Sequence, residues 1–309
     1  MRIVFMGTPE AAVPSLRRLV EDGYQVVAVW TQPDKPAGRG NKVTAPPVKL
    51  AAQLLGLPVY QPSKIRTPEA KESFASHDAD LAVVVAYGRI LPAEILHAPK
   101  QGCVNVHFSL LPKYRGAAPV NWAIVRGEEK TGVTTMHIEE ELDSGPILLQ
   151  REVAIASKET APELMLRLAD LGAELLGETL KKLSEITPQQ QRSEDATFAP
   201  ILKRADGQID WSSNATTIER CVRGFQPWPN AYTHDNSQKL IIWKAEPYTT
   251  DDNDAAPGEI IVAHGDELIV KCGEGTALHP IELQAEGKRR MSVRDYLNGT
   301  HHKAGDRFD

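Results

Sequence analysis

The sequence lacks long apolar runs, paired cysteines, an excess of positive charge and internal repeats, and each absence removes a class of protein. Its longest apolar stretch, Leu81 to Tyr87, is far shorter than the ~20 residues that span a bilayer, and no extended signal-peptide core follows Arg2. The expectation is a cytoplasmic protein. Cys103, Cys221 and Cys272 are odd in number, far apart and without Cys-x-x-Cys spacing, the pattern of isolated reduced thiols to which no role is assigned. With 35 basic against 41 acidic residues the net charge is -6, so the chain is no general polyanion binder. Acidic residues also outnumber basic ones from Gly207 to Asp309. A nucleic acid would have to be held by local patches: Lys35, Arg39 and Lys42, or Lys288 to Arg290. Such patches otherwise read as solvated loops.

What is present is ordinary globular composition, 41% hydrophobic and 25% charged, in 309 residues, enough for two domains. The first half alternates β-rich runs with helical patterns. Arg2 to Met6 reads as a strand. A helix then starts with Thr8 as cap and Pro9 in the first turn, and stops at Gly23. Gln25 to Trp30 is the next strand; a helix ends near Gly56, Pro58 to Tyr60 is a short strand, and Thr67-Pro68 opens another helix. The apolar run Leu81 to Val85 predicts a strand buried on both faces. This alternation predicts a parallel sheet covered by helices. Gly102 to Val106, Thr131 to Ile138 and Ile147 to Val153 extend it, followed by a helix from about Pro162 to Ile186.

After Thr187 a polar stretch without apolar period reads as a linker. The expected division is 1–188, a linker 189–206, and 207–309. The last part holds a helix, Thr216 to Arg223, and short strands at Lys239 to Glu246, Gly258 to Ala263, Glu267 to Lys271 and Thr276 to Gln284. That spacing predicts a small barrel or sandwich.

Open parallel sheets bind ligands beyond the carboxyl ends of their strands, so the strand exits are the places to search. The first, Gly7-Thr8-Pro9-Glu10, lacks Gly-x-Gly-x-x-Gly, which argues against a dinucleotide enzyme such as a dehydrogenase. The exit reading Asn105-Val106-His107-Phe108-Ser109 puts Asn105 and His107 on one face of a strand. An amide and an imidazole there could both donate to one oxygen, as stabilising a tetrahedral acyl-transfer intermediate requires. The plainer reading is a His that ends a strand and an Asn that caps a turn. The exit Glu139 to Gly145 offers carboxylates to the same sheet edge. Asp143 stands out between Leu142 and Gly145, whereas Glu139, Glu140 and Glu141 read as a solvated face. A carboxylate beside His107 would orient its ring and take part in proton transfer. His107, His137 and Asp143 could also be read as zinc ligands, but they lack local ligand spacing, so no metal is expected. Ser109 and Cys103 lack the Gly-x-Ser-x-Gly elbow of a nucleophile.

Asn105-Val106-His107-x-Ser109-Leu110-Leu111-Pro112, the following Tyr114-Arg115-Gly116-Ala117-Ala118-Pro119 and Leu142-Asp143-x-Gly145 together resemble the folate-dependent formyltransferases. The resemblance implies a Rossmann-like formyltransferase domain followed by a small OB-like β-barrel. It further implies Asn105, His107 and Asp143 as the catalytic set for moving a formyl group from 10-formyltetrahydrofolate to an amine, with no metal. Ser109, Leu110, Leu111 and Pro112 would line the folate site. Ala86 to Pro92, with Arg89, Ile90 and Leu91, would receive the pterin ring largely through backbone groups.

Further segments are similar to the branch of that family whose acceptor is the α-amine of methionine on initiator tRNA. They are Phe5 to Pro9, Thr31 to Gly40, Phe225-x-Pro227-Trp228-Pro229 and Gly305 to Phe308. In that branch the loop bearing Arg39, flanked by Lys35 and Lys42, would enter the acceptor stem, and 207–309 would support the tRNA. The expected state is a monomer. Two features depart from expectation: Phe108 stands where a small residue is common, and the second domain is acidic. The alternatives are a formyltransferase for a small amine, such as an amino-sugar nucleotide, and a non-catalytic RNA-binding protein.

Overall fold

The computed structural model describes residues 1–37, 42–250 and 254–309, which divide into two compact units. The first comprises Met1–Gly116, Lys130–Ala154 and Met165–Ala199; the second comprises Ala117–Glu129, Ile155–Leu164 and Pro200–Asp309.

Strands of the first unit are β1 (Arg2–Gly7), β2 (Gln25–Trp30), β3 (Lys35–Ala37), β4 (Lys42–Thr44), β5 (Val59–Tyr60), β6 (Leu81–Val85), β7 (Cys103–His107), β8 (Arg115–Gly116), β9 (Lys130–His137), β10 (Ile147–Ala154) and β11 (Phe198–Ala199). Seven form one sheet in the order β10-β9-β7-β6-β1-β2-β5. All five residues of β6 are buried, as the Leu-Ala-Val-Val-Val run requires of a strand covered on both faces. Helix α1 (Val13–Glu21) turns Val13, Leu16 and Leu19 inward, three residues apart. After α2 (Pro47–Leu54), α3 (Pro68–Ala75) starts as its sequence suggests: Thr67 accepts from the Ala70 amide at 3.3 Å and Pro68 occupies the first turn. The short α4 is Ala93–Leu96.

Three expectations need correction. Thr8 does not cap α1; a 3-10 turn, Glu10–Ala12, precedes that helix, and the Thr8 hydroxyl donates instead to the Tyr87 carbonyl at 3.0 Å. The sheet is not wholly parallel. From β5 to β7 every pairing is parallel, but β9 runs antiparallel to both β7 and β10. His107 pairs with Thr134 and Val104 with His137, so β9 starts beside the carboxyl end of β7 and leaves beside its amino end. The exit toward Asp143 is therefore at the opposite sheet edge from the exit of β7. Finally, the long helix α6 (Ala161–Lys181), which follows α5 (Pro119–Val125), ends before Ile186.

The polar stretch after Thr187 is bonded to the first unit as far as Ala199. Gln189 and Ile147 exchange backbone hydrogen bonds at 2.8 Å, and β11 pairs in parallel with β8.

In the second unit, α7 (Ala215–Gly224) precedes β12 (Ala231–Asp235), β13 (Gln238–Tyr248), β14 (Ile260–His264), β15 (Glu267–Lys271), β16 (Ala277–Ala285), β17 (Met291–Ser292) and α8 (Val293–Gly299). The strands form an antiparallel sheet, β12-β13-β16-β15-β14, with β17 on β16. Alternate residues Leu240 and Ile242, Leu268 and Val270, join Ile218, Trp211 and Phe308 in one core. Asn214 caps α7 through the Thr217 amide at 2.9 Å. Strand β12 escaped the sequence reading because Ala231 to Asp235 has no apolar alternation; Gln238 to Ile242 draws it into the sheet through five backbone pairings.

Candidate active site

Strand β7 sets the starting geometry. A methyl placed on Gly172 of α6 would touch Val106 at 2.9 Å and Phe108 at 3.4 Å, so these alternate residues face the helix. Asn105 and His107 consequently share the other face. Phe108 is thus buried beneath α6, away from the face that carries the candidate chemistry. His137, opposite Val104, lies on the α6 side of the sheet, which separates it from His107. Among the described residues no three His, Cys, Asp or Glu stand together as a metal site.

His107 is buried, and its Nε2 lies 3.0 Å from the Tyr114 carbonyl oxygen. A carbonyl only accepts, so Nε2 carries the proton and Nδ1 is the nitrogen left for chemistry. Asp143 Oδ2 stands 3.7 Å from that Nδ1. Asp143 reaches it although β9 leaves at the far edge, because the following segment doubles back, with Asp143 in left-handed backbone at φ +50°. The Gly116 amide donates to the same Oδ2 at 2.8 Å. Glu139, Glu140 and Glu141 are exposed, as their charge predicts. The Asn105 side-chain amide, half-buried, has no hydrogen-bond partner among the described residues. Left-handed, non-glycine backbone recurs around the site at Ala86, Tyr114 and Asp143. Such conformations persist only where surrounding structure enforces them, and they concentrate at functional sites.

The loop after β6 is held by the exits of β1 and β2. Thr8 Oγ1 and Gln32 Nε2 both donate to the Tyr87 carbonyl, at 3.0 and 3.1 Å, and Gln32 also reaches the Gly88 carbonyl at 3.2 Å. Tyr87 and Leu91 are core residues, and burial pushes the Tyr87 phenol up to about 12. Arg89 is half-buried, while Ile90 is 67% exposed and offers the loop's apolar surface.

The Ser109 to Pro112 turn is braced from beneath. Ser109 Oγ donates to the Lys113 carbonyl at 2.6 Å. Thr134 Oγ1 donates to the Ser109 carbonyl at 2.7 Å and accepts from the Leu111 amide at 3.2 Å. Gln150 Nε2 donates to the Leu111 carbonyl at 2.8 Å. The Ser109 hydroxyl and the Leu111 side chain are buried; Leu110 and Pro112 are half-buried. No sequence motif marked Thr134 or Gln150, since their partners are distant in the chain.

Among the residues read as tRNA contacts, Lys35 is exposed and donates to Gln32 Oε1 at 2.6 Å. Lys42 opens β4, paired with Ala37 of β3. Arg39 lies outside the described residues. Burial raises the thiols of Cys103, Cys221 and Cys272, to about 12, 11 and 12, which leaves them inert.

An amide and an imidazole on one strand face, with a carboxylate brought beside the imidazole, are groups suited to acyl transfer, and comparison with known proteins shows the family. The chain belongs to the formyl transferase family: the family model described as "Formyl transferase" matches residues 1–180, and "Formyl transferase, C-terminal domain" matches 201–301. It is 52% identical over 302 residues to the methionyl-tRNA formyltransferase of Caldanaerobacter subterraneus subsp. tengcongensis, covering 97% of both chains. It is 49% identical over 308 residues to that of Acetivibrio thermocellus, covering 99% of this chain and 98% of the relative. Solved structures share the fold at lower identity. One is an N-formyltransferase from Helicobacter canadensis in complex with folinic acid and dTDP-3-aminofucose (18% identity, TM-score 0.67, covering 92% of this chain and 98% of that one). Another is HypX from Aquifex aeolicus in complex with tetrahydrofolic acid (16%, TM-score 0.63, covering 96% and 47%).

Proposed function

We propose that this chain transfers the formyl group of 10-formyltetrahydrofolate to the α-amine of methionine on initiator methionyl-tRNA, for translation initiation. The observation that carries the reading is the pairing of His107 with Asp143 on the face that bears Asn105, in a chain about half identical, end to end, to proteins named methionyl-tRNA formyltransferase. The N-formyltransferases found by fold alone are too distant in sequence to favour a small amine.

The neutral amine attacks the formyl carbon directly. A free α-amine titrates at ~7.7–8.0, so a useful fraction is neutral near pH 7. As the nitrogen–carbon bond forms, the formyl oxygen becomes an alkoxide, and the Asn105 amide donates to it. One such donor is worth ~3–4 kcal/mol, or 10²–10³ in kcat. His107, its Nε2 proton committed to Tyr114, acts through Nδ1 beside Asp143. This pair takes the proton from the attacking nitrogen and returns it to N10 of the folate as the carbon–N10 bond breaks. Tetrahydrofolate and formylmethionyl-tRNA leave. The backbone of Ala86 to Leu91 and the Ser109 to Pro112 turn seat the folate; Lys35, Arg39 and Lys42 contact the acceptor stem, and residues 207–309 support the tRNA.

The proposed setting is the cytoplasm, where translation initiation uses the charged tRNA; among the described residues no helix is long and apolar enough to cross a membrane. A monomer is the proposed state. The test offers charged initiator tRNA, charged elongator tRNA and small amines in parallel with 10-formyltetrahydrofolate. Preference for the initiator is expected; transfer only to a small amine would remove the tRNA reading, and no transfer would return the chain to RNA binding alone.

A further inference from the structure

The segment between the two family models, outside both of them, is bonded to both partners of His107. At one end, Gln191 Nε2 donates to the carbonyls of Asp143 and Gly145 at 2.9 and 2.8 Å, spanning the turn that presents the carboxylate. Its Oε1 accepts from Nε and Nη2 of the buried Arg115 at 3.0 and 2.8 Å. One amide thus joins the Asp143 turn to the segment whose next residue, Gly116, donates to Asp143 Oδ2. At the other end, Thr197 Oγ1 accepts from the Tyr114 amide at 2.9 Å, and the Thr197 carbonyl accepts from Arg115 at 2.9 Å. Tyr114 supplies the carbonyl that holds His107 Nε2. β11 then runs so close to β8 that a methyl on Gly116 would sit 2.5 Å from the Ala199 oxygen.

We infer that residues 189–199 form a strap in which Gln191 and Thr197 are positioning residues, setting the distance between His107 and Asp143 and so acting on turnover. The inference rests on the reading of that pair as the reacting groups. The strap's bond to the Ser109 to Pro112 turn, from the Thr197 amide to the Pro112 carbonyl at 3.4 Å, is made by backbone and survives any side-chain change, so substitutions at the Gln191 and Thr197 side chains should displace the pair while leaving that turn in place. Misplacement by about 1 Å in an active site costs as much as 10²-fold, and partial release should cost on the order of tenfold.

The test uses the full-length protein with 10-formyltetrahydrofolate and charged initiator tRNA. Gln191→Ala is expected to lower kcat about tenfold while KM for each substrate stays within about twofold. Gln191→Glu keeps an acceptor for Arg115 but turns an oxygen toward two carbonyls, and should fall at least as far. Thr197→Val should lose turnover, and Thr197→Ser, which restores the hydroxyl, should recover most of it; this pair decides the matter if Gln191→Ala does not fold. Wild-type kcat in Gln191→Ala, or Thr197→Ser no better than Thr197→Val, overturns the strap. If Asn105→Ala and His107→Ala also turn over normally, the reading of the site itself fails; if they are impaired while the strap variants are not, only the strap does.

Discussion

Gly145→Ala tests how tightly the Asp143 turn is specified. A methyl at that position would overlap the His137 carbonyl oxygen and come within 2.9 Å of its carbon, and both obstacles are backbone. Gly145 is not in left-handed backbone, so the conformation itself admits alanine and the clash alone is at issue. Relief requires the turn and the end of β9 to part by on the order of 1 Å. Overpacking of this kind costs ~1–3 kcal/mol of stability, which at roughly 2–4 °C per kcal/mol for a domain this size is a modest fall in melting temperature. The effect on chemistry should be larger. Moving the turn pulls Asp143 from His107 Nδ1, now 3.7 Å away, and breaks the 2.8 Å bond from Gln191 to Gly145. A displacement of that size predicts about 10²-fold lower kcat, equivalent to ~2.7 kcal/mol of barrier. Steady-state formyl transfer to charged initiator tRNA, run beside thermal melts and tetrahydrofolate binding, separates the terms. Wild-type turnover in a folded Gly145→Ala protein would refute the claim that the turn's position governs the reaction.

Asn105→Ala should lower kcat by 10²–10³ with little change in melting temperature, because the amide has no hydrogen-bond partner among the described residues; near-normal turnover would remove it from the mechanism. Arg39→Ala should weaken use of charged tRNA and spare folate binding, measured as KM for each substrate; equal loss of both would indicate misfolding. His77 supplies a pH test. It is buried and accepts from Trp30 Nε1 at 3.1 Å, and burial, with the nearby Arg2 charge, holds its imidazole below the ordinary histidine range. The unfolded chain therefore binds this proton more readily, so the contribution of His77 to stability is complete above about pH 6.5 and is lost as pH falls below it. Melts from pH 7.5 to 5 should be less pH-dependent in His77→Gln; identical slopes would exclude His77 as a source.

Signals carried by neighbours in the chain were legible in the sequence. The Thr67-Pro68 start needs only a hydroxyl three residues from an amide, and β6 needs only five consecutive apolar residues. Asn105 and His107 share a face because they are two apart on a strand. Asp143 was singled out from its neighbours Leu142 and Gly145, but the exit argument for it placed β9 in the wrong direction; its approach to His107 depends on the segment that folds back after β9.

Amino-acid order by itself determined most of the first unit's main strands and helices, that the first unit is α/β and the second β-rich, and that Asn105 and His107 share a strand face. These follow from short-range periodicity, backbone preference and residue type. Only the tertiary structure decided that β9 runs antiparallel, that Phe108 turns beneath α6, that the Tyr114 carbonyl accepts from His107 Nε2, and that Gln191 and Thr197 bond to the backbone of Asp143 and Tyr114. Each of these depends on which distant groups meet once the chain has closed its sheet, and a polar run such as Gln189 to Gln191 carries no local periodicity to say where its amides will find partners.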